Sequence, residues 1–491
     1  MELHWVWMSL ATLFTSYVFV KKIVRRLNEW YYDLTLRNKQ HPLPPGDMGW
    51  PIIGNLLAFA KDYSSGHPDL LLNNLVSKYG ATGIYKTHLF GKPSIIVCAP
   101  DMCKRVLTDD ESFRFGYPSS SSKLARSRAL NEVSSAEHRR FRRLVTAPIV
   151  GHNMLAVYIQ HIEEIVINSL EEMSSMKHPF AIMKELKRIS THVIVHIFLG
   201  SRNQHIFTKI GDLFTDISKA MFSVPINVPG FSFHKALKAR ERLANIVQSV
   251  VDERKMMIKN GEIGGQKDLI DILLHVNGQN GEKLEDEDII DLLIVFLFAG
   301  GESTAAGMMM TIAYLTQHPH ILKKAKDEQE EIMKARPSSQ KQLTLKEIKQ
   351  MVYLSQVIDE MLRRANPVFS IFREAAVDVN INGYIIPKGW KVLVWIRAVH
   401  MDPENFPNPQ EFNPSRWDDC KGKAGNFLPF GAGSKLCPGS DLTKLEISIF
   451  MHYFLLNYKV ELMNPQNYLT YFPAPKLINN CLAKVIKISC A

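Results

Sequence analysis

A single thiol closes a glycine-rich stretch, Phe430-Gly431-Ala432-Gly433-Ser434-Lys435-Leu436-Cys437-Pro438-Gly439. Pro438 suits the first position of a helix, and Leu442, Leu445, Ile449 and Phe450 follow as its apolar face. Cys437 is therefore expected at a helix N-terminus, where the dipole and free amides favour the thiolate, the form that binds metal or attacks carbon. Three uses stay open: inert packing, nucleophilic attack with a base brought in by folding, and metal ligation. One thiolate is too little for structural zinc, which takes four ligands, but it suffices for haem, whose porphyrin supplies the nitrogens.

A second constellation is Glu302-Ser303-Thr304, directly after Ala299-Gly300-Gly301. A carboxylic acid beside alcohols in an apolar surround can relay protons from solvent. The competing reading is close helix packing, with Glu302 satisfied by a neighbouring base and the hydroxyls bonded to the preceding turn. Both readings stand on the residues alone.

These groups need elements to position them. No proline interrupts Glu285 to Gln317, so the pattern predicts a helix of about 33 residues, about 50 Å long, which Pro319 ends. Ile289 to Phe298 is apolar on nearly every side and predicts burial. The glycine pair disfavours the helix by about 2 kcal/mol unless close backbone approach or distortion is needed, as a flat ligand would require. Further helical patterns cover 155–175, 232–259, 319–335 and 440–458. Sheet signals are fewer. Ile84–Leu89 and Ser94–Val97 flank Gly91-Lys92-Pro93, Val377–Ile381 and Tyr384–Ile386 flank the hairpin pair Asn382-Gly383, and Lys391–Trp395 follows. The predicted class is α+β, mainly helical, with a small β-rich region.

Composition sets the frame. The 491 residues, 46% hydrophobic and 22% charged, exclude disorder, collagen and coiled coil as the dominant architecture. Cys98, Cys103, Cys420, Cys437, Cys481 and Cys490 are too few and scattered for a disulfide scaffold and read as reduced thiols. A net charge of +10 suits nucleic acid, an anionic membrane or an acidic protein, but the basic residues form neither a tail nor a reading motif, which disfavours nucleic acid. Leu3 to Val20 carries no charged side chain and would span about 27 Å as a helix. Lys21, Lys22, Arg25 and Arg26 follow, the order expected of a retained anchor with a cytosolic body rather than a cleaved signal peptide. The expected organisation is a membrane anchor over 1–22, an amphipathic stretch and Pro-rich connector over 23–54, built around Pro42-Leu43-Pro44-Pro45-Gly46, and one large domain over 55–491.

Taken together, the landmarks resemble those of the cytochrome P-450 monooxygenases, in particular plant microsomal members. The thiol loop is similar to the haem signature F-x-x-G-x-R-x-C-x-G at Phe430, Gly433, Cys437 and Gly439, with Lys435 where arginine is usual. Lysine keeps the positive charge for a haem propionate and loses the bidentate fork. Glu360-Met361-Leu362-Arg363 resembles the E-x-x-R motif, and Arg416 resembles the arginine that completes its structural ion-pair network. The glycine-interrupted helix is similar to A/G-G-x-D/E-T, with Glu302 as the acid, Ser303 at the usual threonine and Thr304 able to assist.

The resemblance implies a cytochrome P-450 fold with an N-terminal transmembrane helix and haem b bound by Cys437 as axial thiolate. It places His138, Arg142, Arg373 and Lys435 at the propionates, and Phe430 in the haem loop. Electrons would come from NADPH through NADPH–cytochrome P-450 reductase, and residues 120–145, net +5, would help dock it. The expected location is the endoplasmic reticulum membrane, single-pass, with the catalytic domain cytosolic. The implied substrate is a small apolar terpenoid oxidised by O2: β-amyrin at C-11, to the alcohol and then the ketone, in triterpenoid saponin biosynthesis. The alternative is ent-kaurenoic acid in gibberellin biosynthesis, whose carboxylate Arg126 and Arg128 would hold. The pocket would draw on residues 115–134, Phe296 to Thr304, Val368 to Ile371, and Tyr471 to Pro473. Two readings of another class are a reductase-independent haem-thiolate isomerase or dehydratase, and a haem-binding membrane protein without turnover.

Overall fold

The computed structural model describes residues 2–36, 40–64, 69–126, 142, 152–200, 206–262, 269–275, 284–368, 370–419, 425–463, 469–470, 476–477 and 482–488. The chain forms two compact units, Met1–Tyr117 with Ser370–Trp395, and Pro118–Phe369 with Ile396–Ala491.

The first unit is built on a five-stranded sheet, ordered Ile84–Leu89, Lys92–Val97, Lys391–Val394, Ile371–Ala375 and Phe113–Phe115. Only the Lys92–Val97 and Lys391–Val394 pair is parallel, with Ile95 opposite Val392. The expected Asn-Gly hairpin forms between Val379–Ile381 and Tyr384–Ile386. Asn382 and Gly383 take φ of 51° and 83°, the left-handed pair that matches strand twist. A continuous N-terminal helix, Glu2–Thr35, runs through both the apolar and the basic stretch. Its second half is tied to the Pro-rich connector and the sheet. Arg25 pairs with Asp47 at 2.6 Å, Asn28 donates to Trp50 O at 2.6 Å, and Lys86 reaches Asp33 at 3.1 Å. The connector lies along the first strand, with Lys86 N donating to Pro45 O at 2.9 Å.

The second unit is helical. The central helix Asp286–Gln317 matches the expected bounds to a residue and is buried from Ile289 to Ile294 and from Thr304 to Leu315. It is the helix among the described residues long and apolar enough to cross a membrane, yet it is core, because neighbours cover it. Those neighbours are Ile182–Leu199, Ser232–Lys259, Val352–Arg364 and Ser440–Asn457. A small antiparallel sheet, Phe180–Ala181, Leu482–Lys487 and Tyr458–Leu462, completes the unit.

The glycine pair does not break the central helix. A Cβ on Gly300 would lie 2.7 Å from Ile194 Cδ1, and one on Gly301 would lie 3.2 Å from Thr191 Oγ1. Glycine here lets the Ile182–Leu199 helix approach closely, which offsets its poor helix propensity.

Candidate active site

The central helix is closed on most sides but opens over one turn. Ala299 is exposed, and Phe296, Phe298, Glu302 and Ser303 are only half-buried, inside a helix buried before and after them. Glu302 receives Lys187 Nζ at 2.6 and 2.8 Å and Ser218 Oγ at 3.4 Å. Ser303 Oγ donates to Ala299 O at 2.9 Å, while Thr304, almost fully buried, lies 3.3 Å from the Thr443 hydroxyl. The packing reading thus describes the resting arrangement: a lysine satisfies the acid and Ser303 bonds the preceding turn. That does not remove the relay reading, because the acid and alcohol face the open turn and one rotation about χ1 frees the hydroxyl.

The thiol loop is a wound segment rather than a helix start. Gly431 and Gly433 take φ of 83° and 73°, a region costly for other residues, and Gly433–Lys435 forms a short 3-10 turn. Leu436 N donates to Gly433 O at 3.2 Å and Cys437 N to Phe430 O at 2.9 Å, so Phe430 and Cys437 close one backbone loop. The helix begins at Ser440 with Gly439 as its cap, so Pro438 stands outside the first helical position. Cys437 stands two residues before the helix cap, and the amide of that cap, Gly439, still reaches its sulfur. Burial pushes its thiol up, against the opposing pull of the Gly439 amide and the Arg142 charge. A thiol in this state stays protonated until a metal displaces the proton.

Arg142 clasps the loop. Its Nη1 donates to Ser434 O at 2.7 Å and also to Leu436 O. Lys435, half-buried, ends the 3-10 turn. In the first unit Arg373 is 2% exposed, stacks against the Phe115 ring at 5.4 Å and spends Nη1 on Phe372 O, while its Nη2 has no hydrogen-bond acceptor among the described residues. A buried guanidinium nitrogen in that state is free to donate to an anion. His138 lies outside the described residues, as do Arg128 and Tyr471 to Pro473. Arg126 is exposed at the end of the Ser119–Ala125 helix.

The strand bearing Arg373 depends on Gly116, where a Cβ would fall 2.0 Å from Arg373 O. Only backbone movement relieves that clash. Gly116→Ala is expected to cost about 1–3 kcal/mol, seen as a lower thermal midpoint and lower haem content per protein. An unchanged midpoint and haem content would show that the contact is dispensable.

Behind the loop sits a fully buried carboxylate, Glu360. It accepts from Arg363 at 2.8 and 2.9 Å, Arg416 Nε at 2.9 Å, Asn413 N at 3.0 Å and Trp417 Nε1 at 3.2 Å. Arg363 continues to His400 O at 2.8 Å, and the His400 ring accepts from Leu428 N at 2.8 Å. Burial, reinforced by the Arg363 charge, pushes His400 down to about 3, so the ring stays a neutral acceptor. Asn366 adds a bond to Pro429 O at 3.0 Å. Leu428 and Pro429 lead directly into Phe430, so the network fixes the start of the thiol loop. Sequence reasoning missed Lys187, Asn366 and His400, because each acts on a residue 28 or more positions away in the chain.

Among the described residues no group of three or more His, Cys, Asp or Glu side chains could hold a metal ion. The donors of the second unit fit haem instead: one thiol presented by a loop that Arg142 clasps.

Comparison with known proteins agrees. Residues 44–481 match the family described as Cytochrome P-450. The chain is 68% identical over its full length, and over all of the relative, to beta-amyrin 11-oxidase of Glycyrrhiza uralensis. It is 49% identical to 7,8-epoxymelianol synthase CYP88A51 of Citrus sinensis, over 99% of this chain and 100% of that one. With ent-kaurenoic acid oxidase 1 of Arabidopsis thaliana it shares 46% identity over 94% of each chain. The solved structure of retinoic acid bound cyanobacterial CYP120A1 superposes with a TM-score of 0.81 at 27% identity, over 91% of this chain and 100% of that one. Family match and fold together carry the expected chemistry with them, and the chain belongs to the cytochrome P-450 family as a haem-thiolate monooxygenase that uses O2 and reductase-supplied electrons.

Proposed function

We propose that this enzyme oxidises β-amyrin at C-11, first to the alcohol and then to the ketone, as a step of triterpenoid saponin biosynthesis. The observation that carries the proposal is the full-length 68% identity to beta-amyrin 11-oxidase, well above the 46% shared with ent-kaurenoic acid oxidase 1. The open turn suits a hydrocarbon: Phe296 and Phe298 flank it, Phe298 meeting Phe214 edge-on at 5.4 Å.

In this reading Cys437 ligates iron, Phe430 packs beside it, and Arg142, Lys435, Arg373 and His138 answer the propionate charge. The haem, when bound, supplies oxygen activation and insertion into an unactivated C–H bond. The chain's own residues orient the substrate, exclude water and move protons. Glu302 takes a proton from solvent as Lys187 releases it. Ser303 turns from Ala299 O to pass a proton inward, with Thr304 assisting. Glu360, Arg363 and Arg416 keep the loop in place.

The same reading includes a single-pass anchor over 1–22 in the endoplasmic reticulum membrane, a cytosolic body, and NADPH–cytochrome P-450 reductase as partner. Support comes from the uncharged Leu3–Val20 stretch followed by four basic residues, and from the exposure of Trp7, Phe19 and Val20 on the N-terminal helix. In the second unit Val224, Val228 and Phe231 add an exposed apolar patch suited to a membrane or partner surface.

The test is microsomal expression with a plant reductase, supplying β-amyrin and ent-kaurenoic acid in parallel. Products oxidised at C-11 of β-amyrin, dependent on NADPH and reductase, and protein that stays with alkali-washed membranes are expected. Oxidation of the diterpene alone would overturn the substrate, and reductase-independent conversion of a peroxide would overturn the proposed reaction.

A further inference from the structure

The face of the central helix that opens at Ala299 continues beyond the open turn. Ser303, Ala299, Val295 and Asp291 follow one another at four-residue spacing and so lie along one side. Ser303 and Val295 are half-buried and Ala299 is exposed, whereas Asp291 ends the line with a buried charge, about 12 Å from Ala299 along the axis. There Asp291 pairs with Arg240, also buried, and Arg240 Nε donates to Leu124 O at 3.2 Å. One buried pair thus joins the Asp286–Gln317, Ser232–Lys259 and Ser119–Ala125 helices.

The Ser119–Ala125 helix is held at its other end as well, where Ser120 and Ser121 both donate to Met221 O, at 2.7 and 2.5 Å. Arg126 follows it directly. This residue takes φ of 51°, and its N–H donates to Ser122 O at 3.1 Å. A helix end of that shape favours glycine, because any side chain there is strained. Strain retained at one residue points to a use for its side chain. The side chain is an exposed guanidinium beside the buried pair: burial raises the pKa of Asp291 and lowers that of Arg240, and the Arg126 charge lowers both.

We propose that Arg126 is a specificity-determining residue, whose guanidinium donates a hydrogen bond to the oxygen at the end of the substrate remote from the oxidised carbon, the C-3 hydroxyl of β-amyrin. Asp291 and Arg240 are positioning residues that fix Arg126 at its distance from the open turn. The fused rings lie along Val295 and Ala299, and the hydroxyl, which an apolar pocket would strand without a partner, meets a cation at the far end. Only one end of the substrate carries that oxygen. Binding it there sets the direction in which the molecule enters and brings ring C, not ring A, over the open turn. The inference rests on β-amyrin as the substrate and deepens that reading.

Full-length haem-loaded protein with reductase, supplied with β-amyrin or its 3-deoxy analogue, tests it. The parent should show a KM roughly tenfold lower for β-amyrin, the discrimination that one hydrogen bond to a charged group supplies. Arg126→Gly removes the side chain and relieves the left-handed backbone, so its thermal midpoint should not fall. Its two KM values should coincide near the parent's value for the analogue, with kcat lowered less. Arg126→Lys should restore most of the discrimination. A parent that oxidises both compounds with one KM overturns the inference alone, as does an Arg126→Gly protein that keeps the parent's discrimination. No oxidation of β-amyrin by the parent overturns the substrate reading and this inference with it. Should Arg126→Gly fail to load haem, Arg126→Gln, which keeps a Cβ at the left-handed position, is read against the same expectations.

Discussion

Cys437→Ser is expected to abolish the thiolate signature of the reduced carbon monoxide complex and to lower turnover by far more than the roughly 100-fold that loss of an outer-shell partner costs a metal site. The reason is that, among the described residues, no cluster of His, Cys, Asp or Glu stands ready to take its place as a metal ligand. Burial raises the thiols of the other two described cysteines, that of Cys98 to about 12 and that of Cys103 likewise upward, so neither readily supplies a thiolate. Serine fits the loop, whose Cys437 N to Phe430 O bond at 2.9 Å uses only backbone, so the protein should fold while losing the ligand. A haem-loaded Cys437→Ser protein with the native carbon monoxide band and undiminished turnover would sink the axial assignment. The raised thiol of Cys437 sharpens the expectation further. Since burial favours the protonated form, binding must release that proton, and haem loading at acid pH should be weaker in the parent.

The long elements were legible in the sequence because their signals are local. The helix at 286–317 ends against Pro319, and the hairpin at Asn382-Gly383 is fixed by its own φ values. Three other features were not legible, each for a physical reason. Pro438 fits the first position of a helix, but the backbone bond from Thr443 N to Gly439 O at 2.8 Å starts the helix later, and propensity cannot register such a bond. Gly300 and Gly301 invited a ligand-driven distortion, whereas their contacts are Ile194 and Thr191, more than a hundred residues away in sequence. Expectations for Glu302 left its partner unnamed. Lys187 looks like an ordinary solvated lysine until the helices cross. What sequence supplied was the identity of the reactive groups, and what folding supplied was the state each one rests in.

Glu360→Gln is the other substitution expected to have a large effect, and here the effect is on folding. The carboxylate gathers two arginines, an amide and an indole at zero exposure, so the amide substitution leaves two buried cations facing one neutral acceptor. Breaking a buried pair of this kind costs about 3–5 kcal/mol, a large share of the roughly 5–15 kcal/mol that stabilises a folded domain. The loss should be transmitted. Arg363 would no longer fix His400 O, the His400 ring would loosen from Leu428 N, and the loop running from Phe430 to Cys437 would lose its anchored start. The expected result is a steep fall in haem-loaded protein, with the remaining fraction melting at a lower temperature. Glu461→Gln, in the exposed pair with Lys459 at 3.5 Å, should change stability by less than about 1 kcal/mol and serves as the control. If Glu360→Gln loads haem fully and melts with the control, the thiol loop is held by its own glycines and by Arg142. The long-range network would then have no part in placing the iron ligand.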